Sequence, residues 1–200
     1  MLRLLSLVLA LLATIPASAT TLLILGDSLS AGYQMPIEKA WPSLLPNVMD
    51  NKGKSLTIVN SSISGDTTGN GLARLPQLLT QYKPHYVLIE LGANDGLRGF
   101  PPNLIAANLT TIIDAIKASQ ATPILMQIHI LPNYGKRYTQ AFSDLYPNVA
   151  QQQDISLIPF FLEPILRDNP QWIMSDGLHP KAEAQPWIAE FVSEQLINRL

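Results

Sequence analysis

The chain has no cysteine among its 200 residues and few charged side chains. The first absence excludes disulfide bonds, zinc–thiolate and iron–sulfur sites, and a cysteine nucleophile. Charged residues make up 14% of the chain, against roughly 25% in a typical soluble domain. The 13 Lys and Arg do not exceed the 15 Asp and Glu, so the basic excess that a nucleic-acid binder needs is missing. The hydrophobic share of 47% is instead enough to bury a sizeable core, which excludes disorder as the main state.

Long hydrophobic runs are also lacking, apart from one at the N-terminus. Leu4 to Ile15 follows the positive Arg3 and precedes the small residues Ala17-Ser18-Ala19, which is the pattern of a secretory signal peptide. The run is shorter than the roughly 20 residues that cross a bilayer. We therefore expect residues 1–19 to be cleaved and residues 20–200 to form one exported domain, periplasmic or secreted. The alternative is an uncleaved anchor or a buried first helix.

Histidines number only three, His85, His129 and His179, and none lies in an HxH or HExxH pattern. A calcium loop of the DxDxDG type is also missing from the sequence. We therefore expect neither a metal ion nor an organic cofactor. His85 is predicted at the surface, and His129, at the end of a strand, is predicted as a structural or rim histidine.

Short apolar runs alternate with helical patterns along the rest of the chain. A helical apolar stripe runs from Ile105 to Ile116 and another from Ile188 to Leu196, and Pro76 is expected to kink or restart a third near Leu72. This alternation predicts an α/β fold with three layers, in which helices cover both faces of a mostly parallel, five-stranded sheet. The predicted strands are Thr21–Leu25, Leu56–Val59, Tyr86–Leu91, Ile124–Ile128 and Ser156–Ile158.

Polar, glycine-containing segments directly follow the first three predicted strands. They are Gly26–Ser30, Asn60–Asp66 and Gly92–Gly96. In a parallel sheet the carboxyl ends of the strands meet at one edge, where ligands bind. The sequence therefore predicts an active site built from these three loops.

Ser28 and His179 are the candidates for nucleophile and base. Asp176, three residues before His179, can accept the proton on Nδ1 and leave Nε2 free to remove the hydroxyl proton of Ser28. The surrounding GDSLS reads GxSxS rather than the GxSxG elbow of α/β-hydrolases. The alternatives are a helix-capping serine and aspartate beside a surface histidine.

Acyl transfer also needs donors for an oxyanion. The candidates are the backbone N–H groups of Ser28 and Gly65 and the side-chain amide of Asn94. Taken singly, Gly65 and Asn94 are ordinary turn residues. Asp27 and Asp95, which flank the motif residues, are predicted to accept supporting hydrogen bonds rather than to catalyse.

Four blocks together carry a resemblance to a known family: GDSLSAGY from Gly26, SISGDTT around Gly65, GANDG from Gly92 and DGLHP from Asp176. In this order they resemble the SGNH (GDSL-type) hydrolases over about residues 21–191, and within that family the bacterial periplasmic multifunctional esterases. The resemblance implies a flavodoxin-like SGNH fold and hydrolysis of acyl thioesters, aryl esters and lysophospholipids. It further implies these roles: nucleophile Ser28, oxyanion donors Ser28, Gly65 and Asn94, and base pair Asp176 with His179.

Apolar loop residues are predicted to line a slot for an acyl chain, which makes a small-molecule acyl ester or thioester the expected partner and a monomer the expected state. One alternative is a carbohydrate O-acetylesterase of the same family. Another is an exported lipid- or glycan-binding module without activity. The predicted slot residues are Leu97, Phe100, Ile130, Leu131, Pro132 and Tyr134.

Overall fold

The computed structural model of the chain describes residues 20–130 and 132–200. The predicted signal peptide, residues 1–19, and the predicted slot residue Leu131 lie outside the described residues. Within the two described ranges, no helix combines the length and the apolar character needed to cross a membrane.

The described residues form one five-stranded sheet with helices packed along it. The strands are β1 Thr20–Gly26, β2 Leu56–Asn60, β3 Tyr86–Glu90, β4 Thr122–Met126 and β5 Ser156–Ile158. The α-helices are α1 Ser28–Ala31, α2 Trp41–Asn51, α3 Thr68–Tyr82, α4 Ala93–Leu97, α5 Pro102–Ala118, α6 Lys136–Gln152, α7 Leu162–Asp168 and α8 Gln185–Leu196.

The sheet has the strand order β2-β1-β3-β4-β5, and each neighbouring pair is parallel. This is the flavodoxin-like order, in which β2 lies on one side of β1 and the later strands are added on the other side, beginning with β3. The α/β class and the five predicted strands are confirmed. The fourth strand was predicted at Ile124–Ile128 but ends at Met126. Its neighbour β3 ends at Glu90, one residue after the Ile89–Leu125 pair, so β3 has no strand residue left to pair with positions 127 and 128.

The apolar runs form strands because both faces of the sheet are covered. Leu22 to Leu25 of β1 are fully buried, as a central parallel strand requires. The helices form two groups: α2 packs against α8, and α5 packs between α3 and α6. Together these contacts make one hydrophobic core around the sheet.

Helix α3 runs unbroken through Pro76, so the helix does not restart there. Its start is fixed by Thr67, whose hydroxyl accepts from the backbone N–H of Asn70 while the Asn70 side chain accepts from the backbone N–H of Thr67. The buried residues Leu75 and Leu79 hold the helix against the core on both sides of the proline. This packing offsets the hydrogen bond that Pro76 cannot donate.

Candidate active site

Ser28 lies on the sharp turn that leaves β1 and is the first residue of α1. Asp27 caps this short helix, because its Oδ1 accepts from the backbone N–H of Leu29 at 3.0 Å. The Trp41 indole donates to the carbonyl oxygen of Leu29 at 3.2 Å and ties the turn to α2. The turn is therefore fixed on two sides, and the Ser28 side chain lies in the wall of a cleft.

His179 lies on a loop between α7 and α8 that is closed at its base. Ile173 and Pro180 form an isolated antiparallel bridge, and the backbone N–H of Met174 donates to the His179 carbonyl at 2.8 Å. Gly177 at the tip has φ +73°, the left-handed region that glycine adopts without steric cost. The bridge and the turn hold His179 at a fixed height above the sheet edge.

Ser28, His179 and Asp176 form one hydrogen-bonded chain. The distance from Ser28 Oγ to His179 Nε2 is 2.8 Å, and that from His179 Nδ1 to Asp176 Oδ2 is 2.7 Å. The other oxygen of Asp176 accepts from the backbone N–H groups of Leu178 and His179 at 2.9 and 3.0 Å. The structure thus brings together three predicted residues, two of which are separated by 151 positions in sequence.

The electrostatics of Asp176 favour an ionised carboxylate. Burial by itself would raise the pKa of Asp176, but the hydrogen bonds from Leu178 and His179 outweigh it and hold the pKa below its usual value. An ionised Asp176 keeps the proton of the neutral imidazole on Nδ1. The unprotonated Nε2 then faces the hydroxyl of Ser28.

Tyr33 covers one face of the His179 ring. The two ring centroids are 4.0 Å apart, and the planes are inclined by 25°. This contact was not predicted from the sequence, and its one signal there is the position of Tyr33 at the end of the GDSLSAGY block. Stacking restricts the imidazole to the plane in which it meets Ser28.

The backbone N–H groups of Ser28 and Gly65 donate no hydrogen bond to any residue in the described ranges, so both remain available to a ligand. Gly65 has φ +87°, and its carbonyl accepts from Arg98 at 3.1 Å. Both groups lie at the cleft.

Asn94 also lies at the cleft, but its amide nitrogen already has two acceptors. It donates to Asp27 Oδ2 at 3.1 Å and to the carbonyl oxygen of Asp66 at 2.9 Å. These two acceptors fix which end of the amide points towards them. Asp27 accepts hydrogen bonds, as predicted. An oxyanion bound by Asn94 would have to share or replace one of the two acceptors of its amide.

The second predicted acceptor, Asp95, and the two remaining histidines have separate surroundings. Asp95 is buried and accepts from the backbone N–H of Thr68 at 2.8 Å and from its hydroxyl at 2.5 Å, which joins α4 to the start of α3. His129 lies at the rim of the cleft, 3.6 Å from Glu163. His85 is exposed, as expected, and accepts from the backbone N–H of Thr21 at 3.0 Å. No group of three or more potential metal ligands occurs among the described residues.

A cleft of about 610 Å³ opens beside Ser28. Of the predicted slot residues, Leu97 and Ile130 line it, whereas Phe100 and Tyr134 do not. Tyr134 instead donates to the Leu97 carbonyl at 3.0 Å, and Phe100 packs on the core. Pro132 begins the short 3-10 helix Pro132–Tyr134, and its side chain is not among those that the structure describes. The remaining apolar lining, missed in the sequence, comes mainly from Leu29, Phe160, Leu162 and Leu166.

The fold and this cleft define a class: a flavodoxin-like α/β protein whose loops join serine, histidine and aspartate at the carboxyl edge of the sheet. Residues 24–185 match the model of the GDSL-like lipase/acylhydrolase family, and the chain belongs to that family.

Individual relatives agree with this assignment over nearly the whole chain. An arylesterase from Vibrio mimicus is 61% identical, over 100% of both chains. Thioesterase 1/protease 1/lysophospholipase L1 from Escherichia coli K12 is 52% identical, over 90% of this chain and 85% of its own. The crystal structure of the psychrotrophic esterase EstA from Pseudoalteromonas sp. is 41% identical and superposes with a TM-score of 0.86, over 90% of this chain and 97% of EstA.

Proposed function

We propose that the chain is a serine esterase that cleaves carboxylic esters and thioesters through an acyl-enzyme. The observation that carries this proposal is the hydrogen-bonded chain from Ser28 through His179 to Asp176, open to an apolar cleft. Relatives named as an arylesterase and as a thioesterase and lysophospholipase support the same chemistry.

In the first step, Ser28 Oγ attacks the carbonyl carbon while His179 Nε2 takes the hydroxyl proton. The resulting oxyanion is stabilised by the free N–H groups of Ser28 and Gly65 and by the Asn94 amide. The protonated His179 then gives its proton to the leaving alcohol or thiol, and the acyl group stays on Ser28. Water, activated by His179, releases the acid and restores Ser28.

The lining of the cleft supports an acyl chain longer than acetyl as the preferred substrate. Leu162 and Leu166 of α7, together with Ile130, add apolar side chains to the lining of the cleft, whose volume is about 610 Å³. An apolar lining of this kind supports lysophospholipids and long-chain thioesters as candidate substrates, in agreement with a relative named as a thioesterase and lysophospholipase. We further propose that the chain is exported after cleavage of residues 1–19 and acts as a monomer on envelope lipids or esters.

Labelling with a fluorophosphonate tests the nucleophile. We expect the reagent to modify Ser28, identified by mass spectrometry of the labelled peptide, and to abolish hydrolysis of p-nitrophenyl butyrate. Ser28→Ala should neither label nor turn over, while Ser143→Ala on α6, remote from Ser28 in sequence and absent from the cleft lining, serves as the matched control. Labelling at another residue, or none in an active preparation, contradicts the proposal.

A series of p-nitrophenyl esters from acetate to palmitate tests the substrate class. The apolar cleft predicts that kcat/KM rises from acetate to medium chains. A maximum at acetate would favour the carbohydrate O-acetylesterase, and binding without turnover across the series would favour the lipid- or glycan-binding module. Mass spectrometry of the exported chain tests whether it begins at Thr20.

A further inference from the structure

Glu90 is a fully buried carboxyl group for which the proposed mechanism has no use. It is the last residue of β3, directly below the Ser28 turn. Its Oε2 accepts from the Ser30 hydroxyl at 2.8 Å and from the backbone N–H of Asp27 at 3.3 Å. Two hydrogen bonds therefore run from this one oxygen to the residues on either side of Ser28.

Gly26 of the GDSLS motif leaves the space for this contact. A Cβ atom at position 26 would lie 2.8 Å from Glu90 Oε2, closer than real Cβ atoms come to other heavy atoms. Glycine thus lets the carboxyl group press against the backbone of the turn. The absence of a side chain at Gly26 therefore makes room for the carboxyl group of Glu90.

Glu90 and Asp27 are two fully buried carboxyl groups, and no described residue forms an ion pair with either of them. Two negative charges so placed repel each other and lose their hydration, so one group has to retain a proton near neutral pH. Burial, with the charge of Asp27, raises the pKa of Glu90 well above its usual value. Burial also raises the pKa of Asp27, but the hydrogen bonds from Leu29 and Asn94 to its carboxylate act against that rise. The other ionisable groups facing the pair are Asp66, Asp95, Tyr146 and Arg74, the last already bound to Asp66.

The hydrogen bonds favour Glu90 over Asp27 as the group that keeps the proton. Both oxygens of Asp27 act as acceptors, from Leu29 N–H and from Asn94 Nδ2, so Asp27 is suited to be the anion. In Glu90 only Oε2 accepts, while the buried Oε1 has no hydrogen-bond partner among the described residues. A proton on this second oxygen would leave both hydrogen bonds accepted by Oε2 in place.

We propose that Glu90 is a positioning residue that holds a proton at neutral pH, and that its neutrality keeps Asp27 ionised to orient the Asn94 amide and the Ser28 turn. The catalytic part of this inference rests on the proposed esterase function. The protonation part does not, since it concerns the free protein.

Infrared difference spectroscopy tests the proton directly. The spectrum of the wild type minus that of Glu90→Gln at pH 7 should contain the C=O stretching band of a protonated carboxylic acid. Glu194→Gln, an exposed change on α8, is the matched control and should give no such band. If the difference spectrum shows only carboxylate bands, Glu90 is ionised and the proposal is wrong, whether or not the protein proves to be an esterase.

Kinetics test the positioning role. Glu90→Leu removes the acceptor for Ser30 and Asp27, and we expect kcat for p-nitrophenyl butyrate to fall at least tenfold with KM changed less than threefold. Glu90→Gln is neutral and keeps one acceptor oxygen, so it should restore kcat to within threefold of the wild type. Equal loss in both variants would show that a charge is required and would overturn the proposal. Should Glu90→Leu not fold, the Glu90→Gln value and the infrared band decide.

The pH dependence of stability gives a third readout. The folded protein holds the Glu90 proton to higher pH than the unfolded chain, where a glutamate titrates near about 4.3. The contribution of Glu90 to the free energy of unfolding is therefore fully present below that pH, and it is lost as the pH rises towards the pKa of Glu90 in the folded protein. The free energy of unfolding of Glu90→Gln, measured in urea, should gain on the wild type as pH rises from about 4 to about 8. A constant difference would contradict a proton held by Glu90.

Discussion

Replacing Asp176 with asparagine perturbs the proposed base without altering its shape. In the native loop, Oδ1 accepts from the backbone N–H groups of Leu178 and His179, and Oδ2 accepts from His179 Nδ1. An asparagine that keeps both backbone bonds must point its NH₂ group at Nδ1. The imidazole then takes the other tautomer, with its proton on Nε2, and cannot accept the proton of Ser28.

Rotating the new amide by half a turn would restore the tautomer but would face the NH₂ group towards the two backbone N–H groups. The loss of two hydrogen bonds costs about 2 kcal/mol, so only about one molecule in 30 would hold the active arrangement. A wholly wrong tautomer lowers kcat by about 10⁴ in a serine protease triad, which is about 5.4 kcal/mol. We therefore expect Asp176→Asn to lower kcat by between about 30-fold and about 10⁴-fold.

Initial rates with p-nitrophenyl butyrate at pH 8 give kcat and KM, and circular dichroism checks the fold. Asp50→Asn, at an exposed position near the end of α2, is the matched control and should behave as the wild type. KM should change little, because the amide does not line the cleft. A folded Asp176→Asn protein that keeps more than a tenth of the native kcat would refute the assignment of Asp176 as the orienting group.

Three other outcomes are expected. Tyr33→Leu removes the ring stacked on His179 and should lower kcat about tenfold, worth about 1.4 kcal/mol, whereas Tyr33→Phe should retain most of it; equal losses would assign the effect to the hydroxyl. Gly92→Ala should destabilise the fold by about 2–4 kcal/mol in urea, because a Cβ there would lie 2.0 Å from Tyr146 Oη, and adding Tyr146→Phe should recover part of the loss, so no recovery would count against this clash. Activity should fall in acid as His179 takes a proton on Nε2, and a flat profile from about pH 5 to about pH 9 would argue against its role as base.

The sheet was predictable from the sequence because the strands are buried on both faces. Runs such as Leu22 to Leu25 leave no polar side chain for solvent, and the polar loops after β1, β2 and β3 then have to meet at one edge. The positions of Ser28, Gly65 and Asn94 beside the cleft follow from that topology. The contact of 2.8 Å between Ser28 and His179 could be predicted only from the order of the sequence motifs, because no local pattern links two residues so far apart in the chain.

Contacts between side chains from distant loops were not predictable in the same way. Neither the stack of Tyr33 on His179 nor the two acceptors of the Asn94 amide has a periodicity or spacing of its own. The prediction of the cleft lining was only partly correct. Phe100 packs on the core instead, and α7, a segment without a polar motif, supplies part of the apolar wall. The one feature of the sequence that points to Glu90 is that it is a single carboxylate within an apolar strand.

The closed loop between α7 and α8 has a consequence for the order in which activity arises. The imidazole at position 179 enters the site only after the chain behind β5 has been made and docked, although the hydroxyl at position 28 is among the first segments available. A nascent polypeptide that stops before this loop contains Ser28 but lacks His179, the base of the proposed mechanism. Under the proposed mechanism, hydrolysis therefore begins only when synthesis is nearly finished, and we expect a chain truncated anywhere upstream of Asp176 to leave acyl esters intact.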